Sequence, residues 1–365
     1  MSSLDVAGLK EAGTGSATVT EPRDAATSAP IRAPLNTYAA LDLGTNNCRL
    51  LVARPSGNSF KIVDAFSRIV RLGEGVSQTG RLGSAAMDRT FAALEVCRDK
   101  MRTRGVNRAR LIATEACRMA ENGPDFIAQV QERLGLDLEI VDRETEAHLA
   151  AAGCYTLVDE DAEGALLFDI GGGSSEIVWL SRPSVGDSHH DMRGRVSTWA
   201  SLQLGVVTLA EKFGGYEVSE DCYEAMVEHV SGELEDFLAR TVGHTRCSRF
   251  HLLGTSGTVT TIAGVHLGLS RYDRRRVDGL WMSDREVHRA IRRLRSMTYD
   301  DRVSNGCIGA DRADLVLAGC AIFDAIRRAF PAPRIRIADR GLREGILMQL
   351  MMADQAWGAT RGAGA

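Results

Sequence analysis

Three glycine-rich turns carry the side chains with the most chemistry to offer. Asp42-Leu-Gly44-Thr45-Asn46-Asn47 and Asp169-Ile-Gly171-Gly172-Gly173-Ser174-Ser175 share an Asp-x-Gly opening, and Gly254-Thr255-Ser256-Gly257-Thr258 is a third turn of similar composition. Glycine lets successive backbone N–H groups face an anion with no Cβ in the way. Hydroxyls add hydrogen bonds, and a carboxylate at a strand end can hold a hydrated Mg²⁺. One such turn is ordinary hairpin chemistry. Three of them point to a polyphosphate-type ligand. Asp42 and Asp169 read either as metal-shell groups or as Asx-turn braces. Glu115 directly follows an apolar run, so it either takes the proton of an attacking water or sits at a helix N-terminus, stabilised by the dipole. Glu146 is a second carboxylate with two readings, a site group or a helix-surface charge. Glu176 could hold water or metal, or pair with an arginine.

The elements that must position these groups repeat. Tyr38–Leu43 is an apolar strand ending in Asp-x-Gly, Cys48–Ala53 returns as a second strand and Phe60–Ile69 is a third. A helix from Ser84, a short strand Arg110–Ala113, a helix Pro124–Leu134, a strand Asp137–Val141 and a helix Arg143–Leu157 complete the half. The pattern then restarts. Ala165–Ile170 runs into the second Asp-x-Gly turn, Glu176–Leu180 returns and Val196–Leu202 follows. Helices over Val206–Phe213 and Glu220–Ala239 lead to the strand Arg249–Leu253, the third turn and another helix. Two copies of this order predict duplicated α/β domains with their turns facing across a cleft. The expected boundaries are a disordered tail over 1–35, a first domain over 36–160, a second over 161–352 and a frayed tail over 353–365. The C-terminal helix is free to pack back on the first domain.

Composition narrows the function classes. The 365 residues are 44% hydrophobic and 25% charged, enough for a sizeable core in two domains. The 44 basic and 48 acidic side chains leave a net charge of −4, which argues against a nucleic-acid or membrane-surface binder driven by bulk charge. No apolar run reaches the roughly 18 residues of a membrane helix. The eight cysteines contain no C-x-x-C pair, which suits a reducing, cytoplasmic setting. The first 35 residues lack aromatics and carry acids, so they fit neither a signal nor a transit peptide.

Seven stretches in order carry a resemblance. Asp42–Arg49, Ala113-Thr-Glu-Ala-Cys-Arg118, Asp169–Glu176, Leu202-Gln-Leu-Gly205 with Val207-Thr208, Gly254–Thr258, Arg312-Ala-Asp314 and Gly341-Leu-Arg-Glu-Gly345 resemble the exopolyphosphatase/guanosine pentaphosphate phosphohydrolase family, over about residues 36–352. That family belongs to the actin-like ATPase and sugar-kinase superfamily. The resemblance implies two ribonuclease H-like domains with an interdomain cleft. It also implies a Mg²⁺-dependent hydrolase releasing the terminal phosphate of inorganic polyphosphate or the 5′-γ-phosphate of guanosine pentaphosphate. It sets the catalytic base on Glu115, the second family carboxylate on Glu146 and a catalytic arginine on Arg312, with Arg49 serving beside it. Phosphate would lie on Gly44, Thr45, Asn46, Asn47, Arg49, Gly171, Gly172, Gly173, Ser174, Ser175, Gly254, Thr255, Ser256 and Gly257, and metal on Asp42, Asp169 and Glu146.

Phosphoryl transfer asks the protein mainly for position and charge. Arg49, Arg118, Arg312 and Arg343 are candidate phosphate grips, although a chain with only four lysines is arginine-rich everywhere. Arg271–Arg276 and Arg289, Arg292, Arg293 and Arg295 form either a polyanion track or solvated faces. His189-His190 lacks a third ligand, and Cys48 reads as a buried thiol. Asn47 stands where the family pattern usually has serine, which bears on substrate choice. Thirteen residues follow Met352, so the short two-domain form is expected, as a homodimer. A non-enzymatic alarmone sensor and a kinase of the same superfamily are the rival readings; Glu115 speaks against the sensor, and no acceptor-site signal supports the kinase.

Overall fold

The computed structural model describes residues 36–182, 195–245 and 249–357. The expectations for the N-terminal 35 residues, His189-His190 and residues 358–365 lie outside them. Two sheets organise the chain. The first contains β1 (Tyr38–Leu43), β2 (Asn47–Ser56), β3 (Ser59–Ile69), β4 (Arg108–Ala113) and β5 (Leu138–Ile140) in the order β3-β2-β1-β4-β5. The second contains β6 (Gly164–Ile170), β7 (Ser175–Ser181), β8 (Val196–Leu202), β9 (Phe250–Thr255), β10 (Trp281–Ser283) and β11 (Arg334–Ile337) in the order β10-β11-β9-β6-β7-β8. In each, three antiparallel strands are followed by two parallel ones, and the second adds β10 as an antiparallel edge. This is the duplicated ribonuclease H-like, actin-like ATPase architecture. Its central strands are near-continuous apolar runs because helices cover both faces.

The repeat is exact in register but not in chemistry. Asp42 pairs with Arg49 across β1 and β2, and Asp169 pairs with Glu176 at the equivalent place across β6 and β7. One half therefore puts a cation beside its turn where the other puts a carboxylate.

Two helices join the halves. Arg143–Cys154 follows the first sheet in sequence, yet it lies against β7 and β8. Leu342–Ala353 ends the second half, yet it lies against β1 and β2, with Ile346, Leu347 and Met351 in one cluster with Tyr38, Ala40 and Leu51. The pair cross where glycines remove the side chains. A Cβ on Gly153 would lie 1.9 Å from the Gly341 carbonyl oxygen, and one on Gly345 would lie 2.0 Å from that of Leu149.

Residues 354–357, expected to belong to a frayed tail, are anchored on the first sheet. Asp354 accepts a hydrogen bond from the Tyr38 hydroxyl at 3.0 Å and pairs with Arg108 at 2.9 Å. The Trp357 indole N–H donates to the Ser59 carbonyl at 3.0 Å. Polar anchors to the first sheet hold this stretch, a long-range effect that composition does not carry. Strands β10 and β11 were also not anticipated, although Arg334-Ile-Arg-Ile337 alternates as an edge-proximal strand should.

Candidate active site

All three turns open into one cavity of about 730 Å³. The first closes with the Gly44 N–H donating to the Asn47 carbonyl at 2.9 Å, the second with Gly171 donating to Ser174 at 3.0 Å. The second turn is fixed from behind. The N–H groups of Val206 and Val207 cap the helix Val206–Phe213 on the carbonyls of Gly171 and Gly172. The two turns touch, since a Cβ on Gly172 or Gly173 would lie 3.0 Å or less from Thr45 side-chain atoms. At the third turn Ser256 has φ 79, a left-handed conformation that costs a non-glycine residue. It occupies the sharp step from β9 into the helix Ser256–His266, where the dipole favours an anion.

Of the residues expected to bind phosphate, Gly44, Thr45, Asn46, Asn47, Arg49, Gly171, Gly172, Gly173, Ser174, Thr255, Ser256 and Gly257 line the cavity. Two do not. Ser175 is fully buried and its hydroxyl donates to the Leu204 carbonyl at 2.9 Å, because the first residue of β7 points into the core. Gly254 lies inside β9, where a Cβ would strike the Phe168 ring at 2.6 Å.

The cationic side of the site is Arg49, Arg312 and Arg343, all lining the cavity. A Cβ on Gly257 would lie 3.5 Å from Arg312 Nη1 and 4.0 Å from Arg49 Nη2, so two guanidinium groups meet at that helix N-terminus. Burial and then the neighbouring Arg49 charge lower the pKa of Arg312. Burial, with Arg49 adding to it, lowers that of Arg343. Among the described residues none of the three has a carboxylate ion-pair partner. Like charges held together with no carboxylate in ion-pair contact suit a polyanion.

Arg118, a candidate for the same role, serves the carboxylates instead. Its Nη2 donates to Glu115 Oε2 at 2.5 Å and to Glu146 Oε2 at 2.9 Å, and its Nη1 donates to the Val141 carbonyl. Arg143, which sequence reasoning did not single out, donates to Glu115 Oε1 at 2.9 Å. Both Glu115 oxygens are thus engaged, and Glu115 does not line the cavity, although its Cγ lies 3.3 Å from where a Gly173 Cβ would be. Glu146 does line it. Burial outweighs Arg118 and pushes Glu146 up to about 7, with Asp42 and Asp169 adding to the rise.

Asp169 is pushed up to about 6 by burial, against the Ser256 hydroxyl and Arg49. Burial also raises Asp42, opposed by Arg49 and Arg343. Glu176 is raised well above the usual carboxylate range by burial and by the Glu146 and Asp169 charges. It accepts from Ser201 at 2.9 Å and has no arginine partner among the described residues. Asp42, Asp169 and Glu146 do not converge as a three-ligand cluster among the described residues. The donor set still fits a hard divalent cation that takes one or two carboxylates and completes its shell with water and phosphate oxygens. Asn46 Oδ1 is buried with no hydrogen-bond partner, which fits the same shell.

The arginine stretches expected as a polyanion track are partly spent. Arg274 donates to Glu344 at 3.0 Å, and Arg295 pairs with Glu220 and Glu224. Arg271, Arg275, Arg276, Arg289 and Arg292 stay exposed. Cys48 is buried with its sulfur 3.9 Å from that of Cys97. No helix of the described residues is long and apolar enough to cross a membrane.

Known structures share this fold. The Aquifex aeolicus member of the Ppx/GppA protein family is 25% identical, with 88% of this chain and 99% of that one covered and a TM-score of 0.70. An exopolyphosphatase-like protein is 26% identical over 86% and 97% of the two chains, with a TM-score of 0.76. An exopolyphosphatase from Cytophaga hutchinsonii, 22% identical over 88% and 98%, shares the fold with a TM-score of 0.77. The model of the Ppx/GppA phosphatase family matches residues 51–354. With that match spanning most of the chain, and with the duplicated fold, the chain belongs to the Ppx/GppA phosphatase family.

Proposed function

We propose that this chain is a Mg²⁺-dependent phosphoanhydride hydrolase that releases the terminal phosphate of inorganic polyphosphate or the 5′-γ-phosphate of guanosine pentaphosphate. The carrying observation is that one cavity holds Arg49, Arg312 and Arg343, none in ion-pair contact with a carboxylate among the described residues, together with Asp42, Glu146, Asp169 and Glu176, which burial drives toward protonation. The backbone N–H groups of the three turns and the guanidinium groups of Arg49, Arg312 and Arg343 would hold the phosphate oxygens and their growing charge. Asp42 and Asp169, with Asn46, would hold the cation, which neutralises phosphate charge when bound.

The attacking water needs a proton acceptor. The resemblance sets that role on Glu115, but two observations favour Glu146: it faces the cavity, and its pKa near 7 matches a base working at neutral pH. Glu115 then acts as a positioning residue. By taking Arg118 and Arg143 it holds the guanidinium that orients Glu146. This reading removes Glu146 from the metal shell, where Arg118 already occupies Oε2.

Phosphate release from medium-chain polyphosphate and from guanosine pentaphosphate, each with Mg²⁺ and with chelator, tests the proposal. Metal-dependent release is expected, and the ratio of the two rates identifies the preferred substrate. Tight binding of either compound without release would replace the hydrolase with a sensor.

A further inference from the structure

The segment that follows β3 carries the first turn. The N–H groups of Val70 and Arg71 donate to the Asn46 carbonyl at 2.9 and 3.1 Å, and that of Gly73 donates to Thr45 at 2.9 Å. The same segment grips the other half of the molecule at two places. Arg71 Nη2 donates to Asp314 Oδ1 at 3.0 Å and to the Asp311 carbonyl at 3.1 Å. Four residues on, the Gly75 N–H donates to Glu211 Oε1 at 2.9 Å, and the Ser77 hydroxyl bonds the other oxygen.

Each far-side partner is tied to the cavity. Asp311 and Arg312 line it, and Glu211 lies on the helix whose N-terminus holds the second turn. The Asp314 stretch is itself braced. Arg302, 2% exposed, donates to the carbonyls of Gly215 at 3.1 Å and Ala313 at 2.8 Å. Arg71 also has φ 49, a conformation that glycine adopts freely and arginine does not. An arginine kept in a glycine conformation indicates that its side chain is used.

We propose, resting on the hydrolase reading above, that Arg71 and Asp314 form a clasp across the rim of the cavity. The clasp fixes the spacing between the first turn and Arg312, and it favours the closed cleft in which both hold one phosphate chain. Arg71 is a positioning residue, and its effect falls on substrate affinity.

Glycine suits the backbone at this position, so Arg71→Gly removes the side chain without straining the fold. With polyphosphate as substrate, Arg71→Gly and Asp314→Asn are each expected to raise KM about three- to fivefold with kcat within twofold of wild type. The melting temperature of Arg71→Gly should stay level or rise. The double variant should be no worse than either single one, because both remove the same contact. A KM within twofold of wild type for Arg71→Gly, or multiplied effects in the double variant, would overturn the clasp. If wild type cleaves neither substrate, the hydrolase reading fails while the clasp remains testable by small-angle scattering with saturating polyphosphate. There Arg71→Gly should have a larger radius of gyration than wild type, and equal radii would overturn the clasp.

Discussion

Asp169→Asn should make the metal-free protein more stable at pH 8 while abolishing metal-dependent turnover. Asp169 ends β6 beside the second turn, and burial lifts its pKa from 3.8 to about 6. Between those values the folded protein keeps a proton that the unfolded chain has released, so stability falls as pH rises. Above pH 6 the cost is complete. At about 1.4 kcal/mol per pH unit its ceiling is about 3 kcal/mol. The carboxylate faces a cavity that admits water, which lowers the effective cost to about 2 kcal/mol. Asparagine has nearly the same shape and no charge. In chelator at pH 8 the variant should therefore melt about 3 °C higher than wild type. The gap should close by pH 4, where both side chains are neutral, and adding Mg²⁺ should stabilise wild type more than the variant. A variant less stable at pH 8, or a gap that persists unchanged at pH 4, would refute the reasoning. The first result would mean that the hydrogen bond with Ser256 outweighs burial, and the second that the gap does not arise from ionisation of Asp169.

Other perturbations have definite expected results. Gly345→Ala forces a Cβ to within 2.0 Å of a backbone oxygen where the two joining helices cross, so it should cost about 3 kcal/mol or more, read by urea denaturation. Arg118→Met leaves Glu115 and Glu146 short of their shared counter-charge. It should destabilise by about 3–5 kcal/mol and move the alkaline-rising limb of the rate profile to higher pH. Glu115→Gln should slow turnover yet leave that limb in place, because the titrating group is Glu146.

The turns were legible because three of them occur, two at equivalent places of the repeat, whereas one alone reads as a hairpin; the repeat was legible because its apolar strands recur in order. The roles of the carboxylates were not. Glu146 reaches the cavity only because the helix Arg143–Cys154 leaves its own sheet to pack on β7 and β8. Nothing local to Arg143-Glu-Thr-Glu146 encodes that. The Glu115–Arg118 pair was within reach, since three residues along a helix puts them side by side. Arg118 instead read as a phosphate grip, because free and paired guanidinium groups look alike in sequence. Ser175 and Gly254 shared the composition of their turns but face the core. The orientation of a β-strand residue depends on register, and one position decides it.

The most direct test of the account is the pH dependence of phosphate release by wild type, Glu146→Gln and Glu115→Gln, with Mg²⁺ and the preferred substrate. The account predicts that wild-type kcat rises through a limb near pH 7 and that Glu146→Gln loses both the limb and about 10²–10⁴ of the rate. Glu115→Gln should keep the limb at a lower plateau. A Glu146→Gln enzyme that retains the limb, with the loss falling on Glu115→Gln, would contradict the assignment and return the base to Glu115.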